Sequence, residues 1–195
     1  MNINHDQTSP ATQQRWLKRY YYVRAVFSLV WVAMAFVLAP RDATIAAILL
    51  MIYPAWDAVA NYVDAQRSGG LARNRTQAIN FVVSLATTIA VVITMRASMH
   101  AVLGVYGAWA ILSGLLQLGT AVKRRKQYGA QWAMMLSGGQ SALAGGFFIF
   151  QSLQPATPSI ANVAGYAAVG AIYFLISALW LTVSGLRGRA AARGA

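Results

Sequence analysis

The chain has 195 residues, of which 58% are hydrophobic and only 10% are charged, whereas a soluble domain has about 25% charged residues. Its net charge of +12 comes from sixteen Lys and Arg against four acidic residues. In a soluble protein this excess would favour nucleic acid as a partner, but here the bases lie at the ends of apolar runs and indicate membrane anchors. The chain has no cysteine, which excludes disulfides, thiolate metal sites and cysteine nucleophiles.

Six apolar runs are long enough to cross a bilayer, which takes about 20 residues per helix. The predicted spans cover about residues 21–39, 43–63, 76–95, 101–122, 129–150 and 160–186. A polar stretch over residues 1–14 is predicted to be a disordered tail, and residues 188–195 form a basic tail. The predicted fold is therefore all-α: one integral membrane six-helix bundle over residues 15–187.

The bases also predict an orientation. Fourteen of the sixteen Lys and Arg lie on one side of the predicted membrane, near the first span, after the second and fourth spans, and after the sixth. The other side has only Arg41 and Arg96. Because basic loops stay in the cytoplasm, we expect both termini to be cytoplasmic.

An internal repeat relates the second and fourth spans. The segment Tyr-Pro-Ala-Trp at 53–56 matches Tyr-Gly-Ala-Trp at 106–109, and the same offset of 53 residues relates Ser84 to Ser137. An offset of 56 residues relates Ser28 to Ser84, and a weaker match extends to the last two spans. We predict three two-helix hairpins. Because each begins and ends on the same side, the repeats are parallel, which suggests a pseudo-threefold bundle about the membrane normal.

Small residues are concentrated in the fifth span, between positions 137 and 146. Gly138 and Ala142, and likewise Ser141 and Gly145, are pairs of small residues four positions apart, the spacing that lets membrane helices approach closely. We predict that these four residues form a helix-packing surface.

The segment 53–64 places a carboxylate inside the second span. Asp57, Asn61 and Asp64 are four and three residues apart, so they share one face of a helix. A charge at this depth costs several kcal/mol unless it is paired or hydrated, so a partner is expected. Arg24 lies at a similar depth in the first span.

We predict that Arg24 pairs with Asp57, and that Asn61 and Asn80 satisfy the remaining donors and acceptors of this polar cluster. Two interpretations remain open. The cluster locks helices together, with Arg24 reaching towards the membrane interface, or it senses or carries protons or a small ion.

No group of residues suggests catalysis. The chain has no nucleophile–base–acid set, no glycine-rich phosphate loop and no glycosidase-type carboxylate pair, and the distant His5 and His100 do not make a metal site. We therefore expect no enzyme, no metal and no cofactor.

Three segments resemble a known family: YPAWDAVAN at 53–61, GAWAILSGLLQL at 107–118 and YGAQWAMMLSG at 128–138. With the six short-looped spans, they are similar to the HdeD-like acid-resistance membrane proteins, which are built from a short repeat of unknown function. The resemblance covers about residues 20–187. It implies a bacterial inner-membrane protein linked to acid or general stress, with no catalytic residues to carry over. Pro54 and Asp57 depart from a plain apolar repeat, so the second span differs from the other spans of the resemblance.

Three functions follow as expectations. The first is a non-enzymatic stress-related membrane component of the HdeD type. The alternative is a small transporter or channel for protons, a small ion or a solute, using the layer formed by Arg24 and Asp57. A third is an assembly partner whose small-residue faces bind another membrane protein. Besides the lipid bilayer, the expected partner is thus another membrane protein or a second copy of this chain.

Overall fold

The computed structural model describes residues 10–127 and 129–193, with side chains for residues 12–127 and 129–187. The described residues form six helices and no strand. The helices are α1 (Pro10–Val37), α2 (Ala43–Arg67), α3 (Arg75–Thr94), α4 (Met99–Arg124), α5 (Gln131–Ser152) and α6 (Ile160–Arg193). The predicted all-α, six-span fold is confirmed.

The predicted disordered N-terminal tail needs correction, and the predicted basic C-terminal tail is largely helical. α1 begins at Pro10, so residues 10–14 are helical, while residues 1–9 of the predicted tail lie outside the described residues. Proline is favoured at the first position of a helix because its missing N–H has no partner there. α6 continues through most of the predicted basic tail, where Ala and Arg favour helix, and residues 194–195 lie outside the described part.

All six helices are long and apolar enough to cross a membrane. Their outward faces carry large apolar side chains, such as Val26, Ile89 and Leu143, which are more than half exposed. In water such a surface would be costly, whereas in a bilayer it contacts lipid tails. The protein is therefore a multi-pass membrane protein.

The bundle has two chemically different ends. One end, which we call the basic end, holds the loop at 68–74, residues 125–127 and 129–130, the start of α1 and the end of α6. The loops at 38–42, 95–98 and 153–159 lie at the other, which we call the opposite end.

The six helices form a ring in chain order, which α1 closes by packing against α6. The broadest contacts are α4 with α5, α1 with α6, and α2 with α3. These are the interfaces between predicted hairpins, and the contacts within each hairpin are smaller. Broad and narrow contacts thus alternate around the ring, as expected for three hairpins arranged about one axis.

Glycines explain the broadest contact. A Cβ atom added at Gly145 of α5 would lie 2.5 Å from the carbonyl oxygen of Gly107 on α4. One added at Gly114 would lie 2.7 Å from the carbonyl oxygen of Gly138. Since no side chain fits there, the backbones of α4 and α5 touch at two places, seven residues apart on each helix.

The rest of the predicted packing surface lies at the same interface. The backbone nitrogen of Ala142 and the Cβ of Ser141 lie 2.8 and 2.9 Å from where a Cβ at Gly114 would be. The hydroxyl of Ser141 also donates to the carbonyl oxygen of Ala110, at 3.1 Å. The structure therefore places all four predicted packing residues of α5 against α4.

Aromatic side chains explain the narrowest contact between neighbouring helices of the ring, that of α1 with α2. Phe27 stacks on Trp56 with ring centroids 4.4 Å apart, and Trp31 lies against Tyr53 at 4.7 Å. These rings fill the space between the two helices and hold their backbones apart.

Asp42 starts α2. Its carboxylate accepts hydrogen bonds from the backbone N–H groups of Thr44 and Ile45, at 2.7 and 3.3 Å. These bonds lower the pKa of Asp42 below its ordinary value, because they favour the charged form.

Candidate functional site

The predicted pair of Arg24 and Asp57 is present between α1 and α2. Nη2 of Arg24 donates to Oδ1 of Asp57, and Nη1 donates to the hydroxyl of Tyr20 at 3.0 Å. The guanidinium also lies over the ring of Phe174, 4.4 Å from its centroid. Asp57 is only 6% exposed, so the ion pair lies inside the bundle rather than on its surface.

The second carboxylate oxygen of Asp57 accepts hydrogen bonds from two other side chains. Nδ2 of Asn61 donates to Oδ2 at 2.9 Å, and the hydroxyl of Ser84 on α3 donates to it at 2.8 Å. The indole N–H of Trp109 on α4 in turn donates to Oγ of Ser84 at 2.9 Å. A buried ion pair is tolerated only when its remaining polar atoms find partners, and this network supplies them for the carboxylate of Asp57.

Asn80 does not take the place predicted for it. It is buried on α3, but its Oδ1 has no hydrogen-bond partner among the described residues. Ser84, one turn closer to the middle of the bundle and about 6 Å further along the helix axis, bonds Asp57 instead. The repeat in the sequence contained this signal, since it aligned Ser84 with Ser28 and Ser137.

A second buried ion pair, which we did not predict, lies closer to the basic end. Nη1 of Arg124 contacts Oδ2 of Asp64 at 3.0 Å, and the amide of Gln77 donates to the same oxygen at 3.2 Å. The indole N–H of Trp16 lies 3.5 Å from Oδ1. In the sequence, Arg124 belongs to a run of four bases that suggests an exposed cluster. Instead it turns inwards, because Asp64 is only 3% exposed and its carboxylate needs a partner.

Two polar cavities accompany the ion pairs. The first, which we call the basic-end cavity, has about 50 Å³ accessible to water and borders Asp64 and Arg124. The second, the central cavity, has about 40 Å³ and borders Asp57. The two cavities share four lining residues, which are Arg24, Asn80, Gln117 and Phe174. Together they extend from the basic end to the middle of the bundle.

An apolar layer lies between these cavities and the opposite end. It consists of five side chains that are at most 2% exposed: Trp31, Leu50, Leu103, Tyr106 and Val163. None of them lines either polar cavity. A separate pocket of about 630 Å³ opens at the opposite end and reaches Leu50 from that side. The layer thus separates a polar half of the interior from the opposite end.

Among the described residues, no three His, Cys, Asp or Glu side chains come together. Both buried carboxylates are bonded to arginine, and His100 contacts a backbone carbonyl, that of Gln154, at 3.0 Å. His5 lies outside the described residues.

Residues 82–150 match the family described as a short repeat of unknown function (DUF308). This family includes HdeD-like membrane proteins. No curated protein and no solved structure matches the chain.

The matched segment runs from α3 to α5. It contains Ser84, Trp109 and the glycine contact between α4 and α5. Arg24 and Asp57 lie before it, so the match does not bear on the ion pair.

Proposed function

We propose that this chain is a non-enzymatic bacterial inner-membrane protein of the HdeD type that acts in acid or general stress resistance. The observation that carries the proposal is the match of residues 82–150 to a family that includes HdeD-like proteins. The interior supports a non-enzymatic role, because its four charged side chains are engaged with one another. A catalytic centre would instead present a nucleophile, base or acid to a substrate.

A deletion strain tests this function. We expect it to survive a low-pH challenge less well than its parent, and the intact chain to restore survival. A variant with Gly145→Leu, which would force α4 and α5 apart, should not restore it, whereas Gly146→Leu should, because nothing lies within 4 Å of an added Cβ there. Equal survival of deletion and parent strains under acid and other stresses would overturn the proposal.

The proposal includes an orientation with both termini in the cytoplasm. It is supported by the concentration of Lys and Arg at the basic end. Reporter fusions at residues 1 and 195 should both be active as cytoplasmic reporters, and a fusion in the loop at 153–159 should be active only as an external one. Tails found on different sides would contradict this topology.

One observation favours a second candidate, a small transporter or channel for protons, a small ion or a solute. Arg24 and Asp57 form an ion pair that lines the central cavity, inside the predicted membrane. Ionisable residues at such positions often mark an ion or proton pathway. Purified protein in liposomes should then pass protons or a small ion down an imposed gradient.

The matched control for this flux is Asp57→Asn, which keeps the shape of the side chain but removes its charge. If the intact protein gives no flux above empty liposomes at acidic or neutral pH, the transporter candidate fails. The comparison with the variant requires that the variant folds. If the intact protein gives flux and the variant gives the same flux, the ion pair is not its pathway.

The proposed partners are the lipid bilayer and either a second copy of this chain or another membrane protein. The exposed apolar side chains of α5, such as Leu143 and Phe147, support contacts of this kind. The mass of the detergent-solubilised complex, corrected for bound detergent, should exceed that of one chain, and a monomer with no co-purifying protein would contradict this part of the proposal.

A further inference from the structure

We infer that the two polar cavities form a water-filled half-channel, open from the basic end and closed at the apolar layer, with Asp57 at its inner end. This goes beyond the proposed function, because a hydrated interior neither requires a stress role nor follows from one. It gives water, and the protons that water carries, access to Asp57 from one end of the bundle only.

The first argument is a pair of buried polar atoms without partners. Nε of Arg24 is a donor and Oδ1 of Asn80 is an acceptor, and neither has a hydrogen-bond partner among the described residues. Both residues line both cavities. Buried donors and acceptors are rarely left unpaired, and water molecules can accept from the donor and donate to the acceptor. The boundary between the cavities therefore needs an occupant with the chemistry of water.

The second argument is size and polarity. A water molecule needs roughly 10–15 Å³ of accessible volume and two to four polar partners. The cavities offer about 50 and 40 Å³, enough for several water molecules. Amides of Gln77, Gln117 and Gln131 and hydroxyls of Thr120 and Ser113 stand along their walls. Apolar cavities stay dry, whereas these cavities carry amide and hydroxyl groups that can bond water.

The third argument is that the apolar layer closes the inner end of the half-channel. The apolar layer is built from side chains that are at most 2% exposed and that do not line the polar cavities. Tyr106 is the member of the layer that is nearest in sequence to Trp109, which lines the central cavity. Its hydroxyl is used within the layer, where it donates to the carbonyl oxygen of Leu50 at 2.6 Å. Water entering from the basic end therefore stops at the middle of the bundle.

Single cysteines test the half-channel, because the chain has none of its own. The probe is Ag⁺, applied to oriented vesicles, and the readout is the thiol left for a fluorescent maleimide after denaturation. Along α4, Thr120→Cys, Gln117→Cys and Ser113→Cys line the cavities. The controls on the same helix are Leu115→Cys, which faces lipid, and Leu103→Cys, in the apolar layer.

We expect the three cavity positions to react with Ag⁺ at least about tenfold faster than either control, since thiol reactivity requires access to water. The reaction should be fast from the basic end and slow from the opposite end. A slow reaction of Ag⁺ with the thiol of Thr120→Cys or Ser113→Cys would overturn the inference. Equal reaction rates from the two ends would overturn it as well. Each variant is used only if it elutes from size-exclusion chromatography like the parent, and Ser113→Cys is nearly isosteric.

Asn80 gives a second, independent test. Asn80→Leu puts an apolar side chain at the boundary between the cavities, while Ile79→Leu is a matched change on the neighbouring, half-exposed position. In the Asn80→Leu background, the reaction at Ser113→Cys should slow by about tenfold, because an unhydrated thiol reacts poorly, while Thr120→Cys should be unaffected. No slowing at Ser113→Cys would mean that water does not pass Asn80. None of these measurements depends on survival or flux, so their failure is separate from failure of the proposed function.

Discussion

The hydroxyl of Tyr106 on α4 donates a hydrogen bond of 2.6 Å to the backbone carbonyl oxygen of Leu50 on α2. That carbonyl lacks its normal helical partner, because the residue four positions later is Pro54, which has no N–H. The bond therefore repairs the gap that proline leaves in a buried helix. It also joins two helices within the apolar layer.

Tyr106→Phe should lower the free energy of unfolding by about 1–3 kcal/mol, the usual cost of leaving a buried polar group without a partner. Pro54→Ala restores an N–H to the helix, so the same Tyr106→Phe change should cost less in that background. Unfolding in detergent or bicelles would measure both. If the cost of Tyr106→Phe is the same with proline or alanine at position 54, the hydrogen bond does not compensate for Pro54.

Removing one partner of the ion pair of Arg24 and Asp57 should lower the free energy of unfolding more than removing both charges. Asp57→Ala leaves the guanidinium buried without its counter-charge, and such losses amount to about 3–5 kcal/mol. Adding Arg24→Met removes that unpaired charge, so the double variant should be more stable than Asp57→Ala alone. The free energies of unfolding of the two single variants and the double variant form the required cycle. Additive costs would show that the two side chains do not interact.

The glycine contact predicts that alanine substitutions at two neighbouring glycines differ strongly in their effect on stability. Gly145→Ala puts a methyl group 2.5 Å from the carbonyl oxygen of Gly107, so α4 and α5 must separate at a cost of about 1–3 kcal/mol or more. Gly146→Ala meets nothing within 4 Å and should change stability by no more than about 0.5 kcal/mol. Thermal unfolding of the two purified variants would make the comparison. Equal changes in stability for the two variants would mean that α4 and α5 do not approach closely at Gly145.

Asp42 should make the start of α2 sensitive to acid. Its pKa is lower in the folded protein than its ordinary value of 3.8, because two backbone N–H groups bond the charged form. Its contribution to stability is therefore complete above the unfolded pKa and is lost as the pH falls through the folded pKa. The difference in thermal midpoint between the intact protein and Asp42→Asn should shrink as the pH falls below 3.8. Asparagine still caps a helix but does not titrate, so a difference that is constant with pH would contradict this role.

The sequence by itself determined the class of the protein. In a bilayer every backbone polar group must be bonded within the protein, and continuous apolar runs of about 20 residues meet this requirement as helices. The pairing of Arg24 with Asp57 was also predictable, because two opposite charges at similar depth in hydrocarbon have few alternatives to each other. Hydrophobic length and charge depth are properties of the chain itself and need no knowledge of packing.

Only the tertiary structure decided which neutral and basic groups complete the network. Ser84 rather than Asn80 reaches Asp57, and Arg124 turns inwards to Asp64 instead of joining an exposed basic cluster. These choices depend on how each helix is rotated and on how closely its neighbours approach. A shift of one residue turns a side chain by about 100° around the helix axis. Contacts between distant helices, such as the glycine contact that draws α4 to α5, set that rotation, and sequence periodicity alone does not contain it.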